Sequence, residues 1–327
     1  MQNNSKSFEW IPLSESDLKK KVNVREGETK VGQRIKVDVQ NESAIRYVII
    51  GICEDIGPQT NGGFPGSDKA YEAFLTYFVN VQSNEFLNGD AILILGHIQP
   101  LVDFKNQQQG FELVEELDNF VQEILTPYIT KNYIPIVIGG GHNNAFPLIK
   151  TVSQYLQIPI KVVNLDPHAD FRALEGRHSG NPFSYAFEQN WMHHYAVMGL
   201  HQSYNSQYLL DELRNNKCTF TFWDDYVSGK ANFEQDLKRI SKEIQTDYFG
   251  LELDMDSIAD MPVSAYTPSG VSLELARKYV MTMANSPKVK YFHLPEASPK
   301  DEIAKVGKAL TYLVTDFIKT RDLVEFN

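Results

Sequence analysis

Short apolar, β-rich runs alternate along this chain with longer amphipathic stretches. That alternation predicts an α/β fold: one domain on a doubly wound, mostly parallel sheet of about eight strands, in three α/β/α layers. Two observations carry the prediction. Several runs are apolar at consecutive positions, as in Tyr47-Val48-Ile49-Ile50 and Ile134-Pro135-Ile136-Val137-Ile138, and such strands belong to sheets covered on both faces. In addition, residues with metal-binding chemistry stand just after these runs, where open α/β sheets form their ligand sites.

In chain order, residues 1–45 are polar, mix Lys with Glu and show weak periodicity. They are expected to form an N-terminal extension or cap on a catalytic domain spanning 46–327. Strands are expected at 46–53, 91–96, 134–138, 160–165, 195–200, 218–222, 248–253 and 289–294. Helices are expected at 111–125, 273–284 and 303–317. The first of these carries Phe111, Leu113, Val114, Leu117, Phe120, Val121 and Leu125, the spacing of a single helical face. No internal repeat, low-complexity tract or linker divides the chain.

With 327 residues, 42% of them hydrophobic, the chain is long enough to bury a sizeable core. A net charge of −11 and the lack of a basic run argue against nucleic acid as a partner. No apolar stretch approaches the ~20 residues of a membrane span. No apolar segment follows Met1–Lys6 as in a signal peptide. A cytoplasmic protein without a membrane partner is expected. Cys53 and Cys218 lack the spacing of a zinc or redox motif and are read as reduced, buried thiols.

Three short clusters hold the chemistry: Gly139-Gly140-Gly141-His142, Asp166-Pro167-His168-Ala169-Asp170 and Asp254-Met255-Asp256. Alternate residues of extended backbone point the same way, so Asp166, His168 and Asp170 can face one pocket, as can Asp254 and Asp256. The glycines before His142 permit a tight turn. A lone Asp-x-Asp is common in loops and a lone His after glycines is often a turn residue, but all three clusters together at strand ends make a site. Carboxylates with imidazoles and no thiolate suit Mn²⁺ or a similar ion better than structural zinc. Two ions sharing carboxylates would bridge a solvent molecule, which loses its proton near neutral pH and becomes the nucleophile of a hydrolysis.

At these residues the chain resembles the ureohydrolase family, which includes arginase, agmatinase and formimidoylglutamase. The resemblance runs from about Tyr47 to Phe317 and rests on Gly-Gly-x-His, Asp-x-His-x-Asp and Asp-x-Asp in that order. It implies an arginase-like fold and a binuclear Mn²⁺ centre held by His142, Asp166, His168, Asp170, Asp254 and Asp256, with Ni²⁺ and Co²⁺ suiting the same donors. It also implies hydrolysis of the C–N bond of an amidinium or guanidinium group and assembly as a trimer or hexamer. Glu296, in Leu294-Pro295-Glu296-Ala297, matches the acid that pairs with the substrate cation, by charge-assisted hydrogen bonds. A family member that kept its ligands but lost activity, acting as a binding partner, is the alternative from another functional class.

Within the family, Asp170-Phe171-Arg172, the stretch 172–183 and Met255-Asp256-Ser257 followed by Ser264-Ala265-Tyr266 resemble formimidoylglutamases. Residues 199–205 contain no acid, whereas arginases place acids there for the substrate's α-ammonium. N-formimidoyl-L-glutamate has no free α-ammonium and carries two carboxylates. The expected reaction is therefore its cleavage to formamide and L-glutamate, a step of histidine degradation, with Arg172 and Arg177 meeting the carboxylates. Arginine, agmatine, a guanidino acid or guanidine are the alternative substrates. Asn61, in the loop Asn61-Gly62-Gly63-Phe64-Pro65-Gly66, resembles part of a glycine-rich substrate loop, and Ser179 and Asn181 are further expected contacts. His178 is the candidate general acid, although Ser179-Gly180-Asn181 disturbs its register with the family's shuttling histidine. His97, His193, His194, His201 and His293 carry no motif and are read as structural or surface residues.

Overall fold

The computed structural model describes residues 5–38 and 44–325. Among the described residues nine strands form one sheet: β1 (Phe8–Pro12), β2 (Tyr47–Ile52), β3 (Ile92–Pro100), β4 (Ile134–Ile138), β5 (Ile160–Leu165), β6 (Met192–Leu200), β7 (Thr219–Phe222), β8 (Phe249–Leu253) and β9 (Val289–Leu294). Their spatial order is β1-β3-β2-β4-β9-β8-β5-β6-β7. All neighbours pair in parallel except β1, which runs antiparallel to β3. The eight expected strands are all present.

The ninth strand, β1, falls within the expected extension. Phe8 stands opposite Pro100 and Pro12 opposite Gly96, so this segment is woven into the sheet edge. The same pairing lengthens β3 beyond residue 96. The sequence Phe-Glu-Trp-Ile-Pro is short and only partly buried, which is why its pattern did not stand out from the polar residues around it.

Alternating side chains send each strand's apolar residues to opposite faces. Ile136, Ile138, Val163 and Leu165 join one core with the helices Ala70–Phe78, Phe233–Ile244, Leu273–Ala284 and Ile303–Glu325. Val137 and Val162 join the other, with Gln107–Ile129, Ala145–Leu156 and Pro182–Glu188. A sheet covered in this way explains the consecutive apolar runs. No helix among the described residues is long and apolar enough to cross a membrane.

The strands that end in the chemical motifs, β4, β9, β8 and β5, are consecutive in the sheet. Backbone hydrogen bonds continue past their ends: Gly139 N to Leu294 O at 3.0 Å, Glu296 N to Gly140 O at 2.9 Å, and Asp254 N to Leu165 O at 3.1 Å. The loops are thereby tied to each other as well as to their own strands.

Phe292 on β9 is fully buried and stacks on Phe317 of the C-terminal helix, with ring centroids 4.9 Å apart. Phe292→Ala is expected to lower the unfolding free energy by ~3–5 kcal/mol, read from the urea midpoint, with a smaller loss for Phe292→Leu.

Candidate metal centre

The turn into His142 needs its glycines. Gly139 and Gly140 have φ of 83° and 73°, a left-handed region costly for other residues. A Cβ on Gly140 would lie 2.6 Å from the Asn144 side-chain nitrogen. The buried Glu54 gathers this turn: it accepts from Gly141 N at 2.9 Å, Asn144 Nδ2 at 2.7 Å, Asn143 Nδ2 at 3.2 Å and Gly57 N at 3.1 Å.

His142 is fully buried, and its Nδ1 faces three carboxylate oxygens: Asp254 Oδ2 at 2.9 Å, Asp170 Oδ2 at 3.0 Å and Asp166 Oδ2 at 3.2 Å. His168 Nδ1 lies 3.6 Å from Asp166 Oδ1 and 3.7 Å from Asp256 Oδ2. All six expected ligands therefore converge. Backbone amides aim two of the acids, His168 N donating to Asp166 Oδ1 and Asp256 N to Asp254 Oδ1, both at 2.7 Å. The His142 end is sealed, whereas the His168 side chain is 29% exposed and opens the cluster to a cavity.

The electrostatics ask for a cation. Burial, then the charge of Asp166, pushes Asp254 up to about 7. Burial followed by Asp254 and Glu296 raises Asp256 well above the usual carboxylate value. Burial opposes a charge on His142, yet Asp166, Asp170, Asp254 and Glu252 together raise it well above the ordinary imidazole value. Both ring nitrogens of His142 and Asp256 Oδ1 are buried without a hydrogen-bond partner among the described residues. Lone pairs left bare in this way, on converging oxygen and imidazole donors, fit divalent metal ions. The His142, Asp166, Asp170 and Asp254 donor atoms lie within 4.8 Å of one another.

Glu296 follows β9 with φ of 67°, a left-handed conformation rare for a non-glycine residue. Its carboxylate accepts from His142 N at 2.7 Å and from the Ser264 hydroxyl. Burial, then the Asp254 charge, raises it to about 8. Glu296, His168, Asp254 and Asp256 line a cavity of about 500 Å³, ample for a small metabolite.

Arg172, Asn61 and Ser179 also line this cavity. Arg172 Nη1 donates to Asn61 Oδ1 at 3.0 Å, and Asn61 Nδ2 donates to Ser179 Oγ at 3.3 Å. Arg172 also meets Glu175, at 2.7 Å.

Three other expected contacts are not part of the lining. Arg177 is 2% exposed. Its guanidinium is held by Asp118 at 2.9 Å, Asn181 Oδ1 at 2.9 Å and Asn143 O at 2.9 Å, and lies against the rings of Phe146 and Tyr185. It braces the loop after β5 against the helix Gln107–Ile129. Asn181 is consumed in the same brace and in holding Gly176 O. His178 accepts from Gly180 N through Nδ1 and meets Glu175 through Nε2, and burial pushes its pKa down to about 4. Both of its nitrogens are occupied by residues of the cavity wall, Glu175 and Gly180, and the ring itself is not part of the lining. These are corrections to the expected substrate and acid roles: loop residues rich in charge fold inward when buried partners await them.

Several contributors carry no motif in the sequence. Asn205 fixes the ligand loop, accepting from Ala169 N at 2.8 Å and donating to Pro167 O at 2.9 Å. Tyr204 stacks on His168, with centroids 5.4 Å apart. Ser264 orients Glu296, and Glu252 and His293 stand behind His142. Glu252 left a trace as a lone acid inside an apolar run, and Ser264 lay in the Ser264-Ala265-Tyr266 stretch that resembles formimidoylglutamases.

The arginase family model matches residues 45–318. A formimidoylglutamase of Photorhabdus laumondii is 26% identical over 277 residues, covering 81% of this chain and 83% of that protein. One of Salmonella arizonae is 26% identical over 261 residues, covering 78% and 79%. Among solved structures, formimidoylglutamase from Bacillus subtilis superposes with a TM-score of 0.77 at 18% identity, over 92% of this chain and 94% of that one. Trypanosoma cruzi formiminoglutamase with Mn²⁺ gives 0.72 at 21%, over 90% and 98%. The structural matches establish the fold, and the family model spans the strands that carry every motif. The chain belongs to the arginase family and is a hydrolase acting on amidino compounds.

Proposed function

We propose that this chain is a binuclear metal hydrolase that cleaves N-formimidoyl-L-glutamate to formamide and L-glutamate. The observation that carries the reading is the convergence of two imidazoles and four aspartates in one buried cluster, which opens through His168, Asp170, Asp254 and Asp256 to a cavity that Glu296 also lines. His142, Asp166, Asp170 and Asp254 would hold one divalent ion, and His168 with Asp166, Asp254 and Asp256 a second. Mn²⁺ fits these donors, and Ni²⁺ or Co²⁺ would share them. When bound, such ions acidify water and offset negative charge at the reacting carbon.

The chain's own groups do the rest. Glu296, fixed by His142 N and Ser264, accepts hydrogen bonds from the planar amidinium and orients its carbon. Arg172 is the one arginine or lysine among the described residues lining the cavity and takes one substrate carboxylate. Asn61 and Ser179 offer polar contacts to the other. The loop after β6 presents Asn205 and Tyr204 where an α-ammonium would call for an acid. The names of the relatives at 26% identity support the same substrate.

One observation favours a second reading. Glu175 sits on Arg172 at 2.7 Å, and an acid–base pair of this kind suits the ammonium and carboxylate of a guanidino amino acid. A panel of formimidoylglutamate, arginine, agmatine, a guanidino acid and guanidine, given to Mn²⁺-loaded protein, decides between them. Glutamate and formamide from the first is the expected result; turnover confined to a guanidino compound refutes the substrate assignment.

Glu296→Gln is expected to lower kcat/KM by about 10²-fold or more, since it leaves the amidinium without its counter-charge. Arg172→Ala is expected to raise KM for the anionic substrate by roughly 10–100-fold with a smaller change in kcat. Steady-state kinetics on each purified variant measures both.

A further inference from the structure

Behind His142, on the side away from the aspartates, lies a fully buried polar group that the hydrolysis does not call on. Glu252, His142 and His293 are each 0% exposed. Glu252 Oε2 is 2.7 Å from His293 Nδ1 and 3.4 Å from His142 Nε2, while Oε1 accepts from Tyr291 OH at 2.7 Å. We infer that Glu252, held by His293 and Tyr291, is a positioning residue for the metal centre, fixing the ring and tautomer of His142 so that Nδ1 is presented to the ion. This rests on the binuclear reading above.

Burying a carboxylate in an apolar strand is costly unless it is fully paired. Here the pairing is built from the sheet. Glu252 and His293 stand opposite one another across β8 and β9, and so do Gly250 and Tyr291. A Cβ on Gly250 would fall 2.2 Å from the Tyr291 ring, so glycine there lets the tyrosine lie across β8 and reach Glu252. A glycine, a tyrosine and a histidine are thus arranged around one acid.

The chemistry of that acid follows from what His142 must do. A neutral imidazole carries one proton, and metal ligation needs the lone pair on the nitrogen that faces the ion. His142 has acids on both edges. An ion among Asp166, Asp170 and Asp254 needs Nδ1 bare, and the charge of a carboxylate 3.4 Å from Nε2, which has no other partner among the described residues, favours the proton there.

A rival use of the same atoms is a third cation site, since donors of His142, Glu252 and His293 lie within 4.8 Å of one another. Both oxygens of Glu252 are already engaged by His293 and Tyr291. A third cation there would also face a single carboxylate charge. Both points favour positioning.

The test reads metal binding rather than turnover. Metal-free wild type and Glu252→Gln, matched by far-UV circular dichroism, are titrated with Mn²⁺ calorimetrically, and their Co²⁺ forms are compared by visible absorption. The expected result is two ions in wild type, with one of them weakened about 10–100-fold in Glu252→Gln and a changed Co²⁺ spectrum, while the other ion keeps its affinity. Tyr291→Phe, which leaves the acid in place, serves if Glu252→Gln does not fold, and is expected to weaken the same single ion by a smaller factor.

Unchanged affinities and spectra in the variant that folds overturn the assignment while leaving the hydrolase reading intact. Three ions in wild type, one of them lost in the variant, overturn it in favour of a cation site. A wild type that binds no divalent ion overturns it together with the metal centre.

Discussion

Four aspartates, Asp166, Asp170, Asp254 and Asp256, are gathered with little or no access to water at the ends of β5 and β8, and their mutual repulsion is the constraint on which the rest of the structure depends. Burial with neighbouring charge holds Asp254 at about 7 and Asp256 well above the usual range. Backbone amides relieve part of the cost, because the loops turn so that His168 N and Asp256 N point back at the acids two residues earlier. The remainder is a demand for positive charge, and the unpartnered Nδ1 of His142 faces the same space. Local backbone cost is accepted for this purpose: Asp170 and Glu296 both have positive φ, in a region where side chains are rarely found unless the surroundings enforce it.

The cluster is asymmetric, and the asymmetry divides its work. At the His142 end everything is sealed, and the supports are deep: Glu54 under the glycine turn, Glu252 with His293 and Tyr291 behind the ring. At the His168 end the imidazole is partly exposed, stacked on Tyr204, and opens to the cavity with Glu296 and Arg172. A rigid rear and an accessible front suit a centre whose ions stay while small substrates come and go. The loop after β5 serves both ends. Its Arg177 is spent on holding the loop to Asp118 and Asn143 O, and Arg172 of the same loop is left at the rim.

Much of the fold and the centre of the site was legible in the sequence. Consecutive apolar residues in runs such as 47–50 and 134–138 marked buried parallel strands, and histidines and aspartates at the strand ends marked one edge of the sheet. The periphery was less legible for a physical reason. Arg172 and Arg177 lie five residues apart in one polar loop, and nothing local distinguishes the arginine that faces the cavity from the one that meets a buried Asp118 on a distant helix. His178 likewise had the right residue type in the right region, but Gly180 N and Glu175 claim its nitrogens. His293, read as structural or surface, is buried beside Glu252, a contact that exists only because β8 and β9 are neighbours.

The sequence by itself determined the alternation of strands and helices, the three histidine and aspartate clusters and their place at strand ends, because these rest on periodicity and short-range spacing. Tertiary structure alone decided that β4, β9, β8 and β5 stand side by side, that Phe8–Pro12 completes the sheet edge, and which polar side chains face the cavity and which brace the walls. Those outcomes depend on pairings between residues far apart in the chain, where burial and the partner that meets each charge, rather than residue type, assign its role.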